Sequence, residues 1–545
     1  MNVPDPKPPG LTLAVQVAFV GKRVLLDPAP PSREAAATFR QALETALTAR
    51  LRRLPEHLCL TDRHQVCALS SLAIGGDAVF TRACRTLGWW QRIFLPQPRE
   101  EFLLARGSGG PDFSPVEADE IRQLLASPHI IEERVASTSS DRHERFEDVN
   151  LELVRISDVV VCLLPADPTP GKRGGTLDVM ELARRMRRPV LELRVDFDGS
   201  NQPQLTETWH WNQEPNASCH HRAAFVAPTL PAPLDQIVCD RCELTDAMNY
   251  RNTLKSFSSR TSAHRQSRFK LAALIIVVAH VLATALALGA MRTHGGAALR
   301  WFLGVELSFL AIGLAYHWWL HHSEAAKEWA MSRLSAEVAR SVIPLAGVPR
   351  SLRHLLDLPM PDDLGPLLRT LDVLHLAGLR SQPREEWKAR RDAYVRERLK
   401  KQTYGQLDYY RAKLQTASCR LALARWTFYI GSGGALLATA AKLSMVLHWW
   451  HVSDADHDIV ATALAFLAVL LPVIAVAGLS LAAAFDLEAR THTYEKMLDF
   501  LNTQTPLLET AATENEFATL ALQTESRLLA ETAIWYARRA FTGVA

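Results

Sequence analysis

Three short stretches combine small, polar and basic residues in a way that suits a phosphate. "FVGKR" (residues 19–23) closes an apolar run, "SSLAIGGD" (70–77) separates an apolar run from a helical pattern, and "GKRGGTLDVMELAR" (171–184) opens another helical pattern. A glycine-bearing turn ahead of a helix leaves backbone N–H groups unpaired at the positive end of the helix dipole and lets an anion approach closely. The ligand-facing candidates are therefore Gly21, Lys22, Arg23, Ser70, Ser71, Gly75, Gly76, Asp77, Gly174, Gly175, Thr176 and Asp178. Within SSLAIGGD, Ser71 and Gly75 are expected to face the ligand, Leu72 and Ile74 to pack, and Asp77 to cap the helix that follows. A single turn of this kind is usually a connector. Three in one domain point to a phosphate- or ribose-bearing ligand.

Signals for bond breaking are weaker. The chain has no P-loop, no nucleophile elbow and no HExxH. If the domain is an enzyme, Asp178 and Glu181 are the carboxylates expected to serve a nucleotide N-glycosidase. A separate group could take zinc: Cys219, His220 and His221, with Cys239 and Cys242 in "CDRC". The two-residue cysteine spacing suits half of a zinc site, but its partner is "CHH" rather than a second CxxC.

The elements around these turns follow from periodicity. Apolar runs at 13–20, 66–72, 92–95, 129–135, 159–164 and 190–195 read as strands. They alternate with helical patterns at 33–53, 78–87, 115–125, 146–156 and 177–186. Strands such as "VVVCLL" are apolar throughout, which implies burial on both faces. The expected fold for 11–196 is an α/β doubly wound parallel sheet, Rossmann-like, with ligands at the carboxyl ends of its strands.

The rest of the chain is of a different class. Residues 271–291, 298–320, 427–447 and 459–485 are long apolar runs. Each is long enough to cross a hydrocarbon core about 30 Å thick as a helix. An all-α membrane domain with four transmembrane helices is expected. Its parts are a connector (197–262), a first transmembrane pair (263–322), a helical insert (323–426), a second pair (427–486) and C-terminal helices (487–545). Residues 383–425 read as one unbroken charged helix. Glu306 lies inside the second apolar run, where a carboxylate is costly unless it meets water or a partner, so it is a candidate functional residue. Lysine and arginine are denser outside the two tight loops than within them, which places both termini and the insert in the cytoplasm. The N-terminus lacks the pattern of a signal peptide, and eight scattered cysteines favour a reducing compartment. With 61 basic and 58 acidic residues the net charge is +3, which gives no argument for nucleic-acid binding.

Two resemblances sharpen this reading. "SLAIGGDAVFTRACRTLGWWQRIFLPQPREEF" and "VRISDVVVCLLPADPTPGKRGGTLDVMELARR" resemble the SLOG domains, a Rossmann-like nucleotide-binding superfamily, over about residues 13–195. The resemblance implies that Gly21, Arg23, Ser71, Gly75, Asp77, Gly174, Gly175, Thr176 and Asp178 line a ligand cleft. Lys22 stands where relatives often carry histidine, and "RGGTLDVME" shortens the loop of the phosphoribohydrolases, which favours binding over hydrolysis. "EEWKARRDAYVRERLKKQTYGQLDYYRAKL" (385–414) and "ESRLLAETAIW" (525–535) resemble SLATT domains, paired membrane helices flanked by cytoplasmic ones in bacterial conflict systems. That resemblance implies a homo-oligomeric, pore-forming effector in the bacterial inner membrane, triggered by a nucleotide-derived ligand. A membrane scaffold that recruits a protein is the other reading.

Overall fold

The computed structural model describes residues 10–22, 33–73, 75–104, 106–107, 110–111, 113–166, 174–196, 203–211, 227–237, 246–291, 296–322, 325–381, 386–402, 405–447 and 454–541. The chain forms two compact units. The first comprises Met1–Thr253 with Ala346–Arg384, the second Leu254–Leu345 with Glu385–Ala545.

The first unit is built on a seven-stranded sheet: β1 (Leu13–Gly21), β2 (His64–Ser70), β3 (Trp90–Leu95), β4 (Ile130–Val135), β5 (Val159–Pro165), β6 (Val190–Asp196) and β7 (Gln204–His210). Its order is β4-β3-β2-β1-β5-β6-β7. All neighbours are parallel except β6 and β7. The helices of this layer are α1 (Arg33–His57), α2 (Gly76–Thr86), α3 (Pro115–Leu125), α4 (Arg142–Ile156) and α5 (Thr176–Arg185). Side-chain alternation along β1 splits the core. Val17 and Phe19 join Leu43, Leu47 and Phe80 from α1 and α2, while Ala18 and Val20 join Leu153 and Val179 from α4 and α5. The sheet is thus covered on both faces, as expected of a doubly wound fold. β7 was not foreseen, because it lies in a polar stretch assigned to the connector; it pairs antiparallel along the full length of β6.

The 323–426 insert is divided between the units. Residues 346–384 belong with the sheet, chiefly through a later helix (Gly365–Ser381). Thr370 Oγ1 on that helix accepts the Ala14 N–H at 2.9 Å, and Arg369 pairs with Asp158 at 2.5 Å. Asp372 is 2.9 Å from Arg92, which also holds Glu132 at 2.6 Å; all three charges are buried. These contacts lie towards the amino-terminal end of the sheet, at the start of β1 and just ahead of β5.

Apart from short helices at Arg99–Leu103, Ala232–Asp235 and Arg353–Leu356, the further helices are, in chain order, α6 (Ala247–Ala290), α7 (Gly296–His322), α8 (Ala325–Val342), α9 (Gly365–Ser381, described above), α10 (Trp387–Ala393), α11 (Gln406–Val446), α12 (Asp454–Ala484), α13 (Leu487–Thr510) and α14 (Glu514–Phe541). The single helix expected over 383–425 is interrupted. α10 passes into a π-helical turn at Tyr394–Leu399, and α11 starts only after Gly405. A Cβ on Gly405 would sit 2.6 Å from backbone atoms of Leu399 and Lys401, so the chain folds back on itself there.

Among the described residues three helices, not four, are long and apolar enough to cross a membrane: Ala247–Ala290, Gly296–Leu320 and Asp458–Ala484. The expected span at 427–447 is the C-terminal half of α11. Its Gly431, Ser432, Gly433, Gly434 and Lys442 dilute its apolarity. The glycines instead serve close packing. A Cβ on Gly431 would lie 2.8 Å from the Leu471 carbonyl oxygen, and one on Gly478 would lie 3.3 Å from the Thr427 side chain. Small residues let two backbones approach in this way. α6 and α7 form an antiparallel hairpin, with Gly289 beside Phe302, His280 beside Gly313 and the Arg268 guanidinium over Trp319.

Candidate ligand-binding edge of the sheet

β1 and β5 are neighbours in space, but the chain runs from β1 outward to β4 before returning to β5. This makes their carboxyl ends the switch point of the sheet, where open α/β folds hold ligands. "FVGKR", "SSLAIGGD" and "RGGTLD" follow β1, β2 and β5, three adjacent strands.

The first two turns interlock. A Cβ on Gly21 would lie 2.7 Å from Gly76 Cα, and one on Gly76 would lie 2.8 Å from Gly21 Cα, so glycine is required on both sides. The Lys22 N–H donates to the Leu163 carbonyl at 3.0 Å, and the Lys22 carbonyl accepts the Gly76 N–H at 3.3 Å. Asp77 holds the contact together. Its Oδ1 accepts the Gly21 N–H at 2.8 Å; its Oδ2 accepts the Ser71 hydroxyl and, at 3.3 Å, the Ala73 N–H. Burial pushes the Asp77 carboxyl up to about 6, against the lowering effect of those three donors.

Several roles expected from sequence change accordingly. Asp77 is not the cap of α2: it lies inside the first turn, and Gly75, with φ 92°, is the cap residue and offers no side chain. Ser71 is turned to Asp77. Ser70 is buried, with its hydroxyl 3.4 Å from that of Thr81. Leu72 packs as expected, fully buried, although its φ of 55° is unusual for leucine. Arg23 and Ile74 lie outside the described residues.

The third turn leads into α5. Gly174 has φ 79°, and its N–H donates to Asp178 at 2.8 Å. Gly175 is the helix cap without a side-chain bond, and Thr176 is a buried first residue. Asn150, which no sequence motif marked, donates from Nδ2 to the Gly174 carbonyl at 2.8 Å. It comes from the middle of α4, so no local pattern could announce it. Glu181 does not join Asp178; it pairs with Arg185 at 3.2 Å on the exposed side of α5. The two carboxylates of the enzymatic reading thus serve different partners.

Capping separates the helices of this unit. α3 carries a capping box from Ser114 and Glu117, and α4 is capped by Asp141. α2 and α5 begin at glycines with no side-chain cap. Those two helices follow β2 and β5, on either side of β1, and no side chain caps their first turn, where backbone donors can meet an outside anion.

The zinc candidates Cys219, His220, His221, Cys239 and Cys242 lie outside the described residues, and among the described residues no cluster of metal-ligating side chains occurs. Cys67, Cys84 and Cys162 are free and buried, and burial pushes the Cys67 and Cys162 thiols up to about 12. Glu306 is half-buried on α7, within a candidate span. No family model, curated protein or solved structure matches the chain.

Proposed function

We propose that this chain is a membrane-anchored sensor–effector. Its sheet unit binds a nucleotide-derived ligand at the β1–β5 switch point, and its apolar helices change state in response. The capping contrast carries the reading: α2 and α5, on either side of β1, start at glycines without a side-chain cap, whereas α3 and α4 are capped by side chains. A phosphate-bearing ligand supplies the missing acceptors. Gly75, Gly175 and Thr176 are its backbone contacts in this reading, while Asp77, Ser71, Asp178 and Asn150 hold the turns at Gly21, Gly76 and Gly174 in place.

The three helices that are long and apolar enough to cross a membrane support anchoring of the chain. Their basic flanks favour a cytoplasmic position for the sheet unit, and the setting is the bacterial inner membrane. So few spans do not enclose a channel, so a pore requires several copies around an axis. The ligand acts by favouring one of two membrane states over the other. This is the behaviour that a SLOG-like domain joined to SLATT-like helices implies.

The test uses the full chain in liposomes with a panel of mono-, di- and cyclic nucleotides and nucleotide sugars. Calorimetry reads binding, chromatography reads turnover, and dye release reads permeability. Binding without turnover, together with ligand-dependent dye release, supports the proposal. Turnover that Asp178→Ala abolishes would replace it with a membrane-tethered N-glycosidase. Failure of every nucleotide to bind would leave a scaffold that recruits a protein.

A further inference from the structure

The helical unit contains a cavity of about 470 Å³. It lies among α6, α8, α11, α13 and α14, and no candidate residue of the sheet lines it. Six cations line it: Lys270, Arg333, Arg340, Lys413, Arg420 and Arg490. Only two carboxylates oppose them. Glu337 is paired to Arg340, and burial holds the Glu531 carboxyl above its usual range, which weakens it as a counter-charge. Burial, with Arg333, Arg490 and Arg420 nearby, pulls the Lys413 ammonium below its usual range. A cavity this rich in cations lacks negative charge.

Its lining also includes aromatic hydrogen-bond donors. Tyr409, Tyr410 and Tyr494 line it, and so does Trp329. Trp329 is 2% exposed, and its indole N–H has no hydrogen-bond partner in the structure. A buried N–H left unpaired costs free energy that an acceptor from outside recovers. The location adds a second constraint. Lys270 immediately precedes the apolar stretch of α6, and Arg490 lies just past the end of α12. The cavity thus sits at the level where the spanning helices turn apolar.

We propose that this cavity is a binding site for a phosphate-bearing anion, either the headgroup of an anionic phospholipid or a soluble phosphate. Phosphate matches the walls: it is multiply charged, accepts from several donors at once and pairs with guanidinium groups in bidentate fashion. The site goes beyond the nucleotide site of the sheet and is independent of it.

Full-length protein in a zwitterionic detergent is titrated with inorganic pyrophosphate or with short-chain phosphatidylglycerol, with phosphatidylcholine as the neutral control. Thermal unfolding is followed by Trp fluorescence. Stabilisation by phosphatidylglycerol alone identifies a lipid headgroup, and stabilisation by pyrophosphate identifies a soluble anion. Lys413→Gln, at an exposed position on the cavity rim, is expected to raise the half-saturating concentration about tenfold, the loss of one charge-assisted hydrogen bond. Arg333→Gln should do the same, and if it fails to fold, Lys413→Gln stands alone. Lys496→Gln, exposed on α13 and outside the cavity, should leave the titration unchanged. The proposal is overturned if neither anion stabilises the protein, or if Lys496→Gln weakens binding as much as Lys413→Gln.

Discussion

Asp77 Oδ1 accepts the Gly21 N–H at 2.8 Å, so one buried carboxylate ties the end of β1 to the first turn of α2. The same side chain holds Ser71 and Ala73, and with them the whole "SSLAIGGD" turn. The candidate ligand edge is therefore braced before any ligand arrives.

Burial of that carboxyl, which outweighs the three donors of the brace, makes stability depend on pH. The folded Asp77 carboxyl titrates near 6, above its ordinary 3.8, so the folded chain holds this proton more tightly than the unfolded one. The resulting stabilisation is complete below about pH 4 and is lost as pH rises through about 6, a change on the order of 3 kcal/mol. Asp77→Asn is expected to remove this slope. Urea midpoints of the full chain between pH 4 and 7, compared for the two proteins, check it; an unchanged slope in the variant would assign the effect to another group.

Gly76 permits nothing larger. Valine there would place its Cβ 2.8 Å from Gly21 Cα, a backbone atom that cannot rotate away. Gly76→Val is expected to cost about 2–3 kcal/mol through overpacking and to abolish nucleotide binding. Chemical denaturation and calorimetry give the two readouts. Full binding with wild-type stability would mean that the two turns do not need this contact.

Residues 346–384 are held to the sheet through a buried charge cluster in which Arg92 bridges Glu132 and Asp372. Removing one member of such a cluster costs about 3–5 kcal/mol, because it strands the charges that remain. Asp372→Ala should therefore destabilise the protein by that amount and expose 346–384 to limited proteolysis. A protease pattern identical to wild type would show that the apolar contacts of α9 suffice to hold this segment.

In the helical unit, Glu525 is fully buried and accepts from Arg398 Nε at 2.8 Å, Arg398 Nη2 at 2.7 Å and the Tyr394 hydroxyl at 2.9 Å. Glu525→Gln is expected to lower stability by about 3 kcal/mol. Glu509→Gln, which breaks only the exposed pair with Lys400, should change it by less than about 1 kcal/mol. Thermal unfolding in detergent compares the two. Equal losses would mean that the buried network carries no special weight.

Small residues fix the approach of α11 to α12. Leucine at position 478 would be driven into Thr427 and the Ala424 carbonyl. Gly478→Leu should separate these helices, at a cost of about 1–3 kcal/mol. A cysteine pair placed at positions 427 and 478 should cross-link in the otherwise wild-type chain; failure to do so would refute the close contact.

Much of this architecture is written locally. The strands from β1 to β6 announce themselves as apolar runs, and α1 to α5 as periodic patterns between them, because burial on one or two faces leaves its mark on neighbouring residues. The three glycine turns were legible for the same reason, since each follows its own strand. The stretches 385–414 and 525–535 were also visible, as charged helical patterns.

Long-range contacts decided the rest. Only the folded chain shows that Gly21 meets Gly76, that Asp77 faces back to β1 rather than capping α2, and that Asn150 reaches Gly174. Only there do Arg398 and Glu525 pair, which joins the two distant charged stretches. The third apolar run falls short of a span by composition, its glycines, Ser432 and Lys442 lowering its apolarity, and only the folded chain shows that Gly431 and Gly434 are where α12 packs. β7 and the docking of 346–384 were hidden for a related reason. An edge strand with one polar face carries little apolar signal of its own, and the apolar pattern of α9 announces a helix without saying what it packs on; both depend on partners that the chain brings together only when it folds.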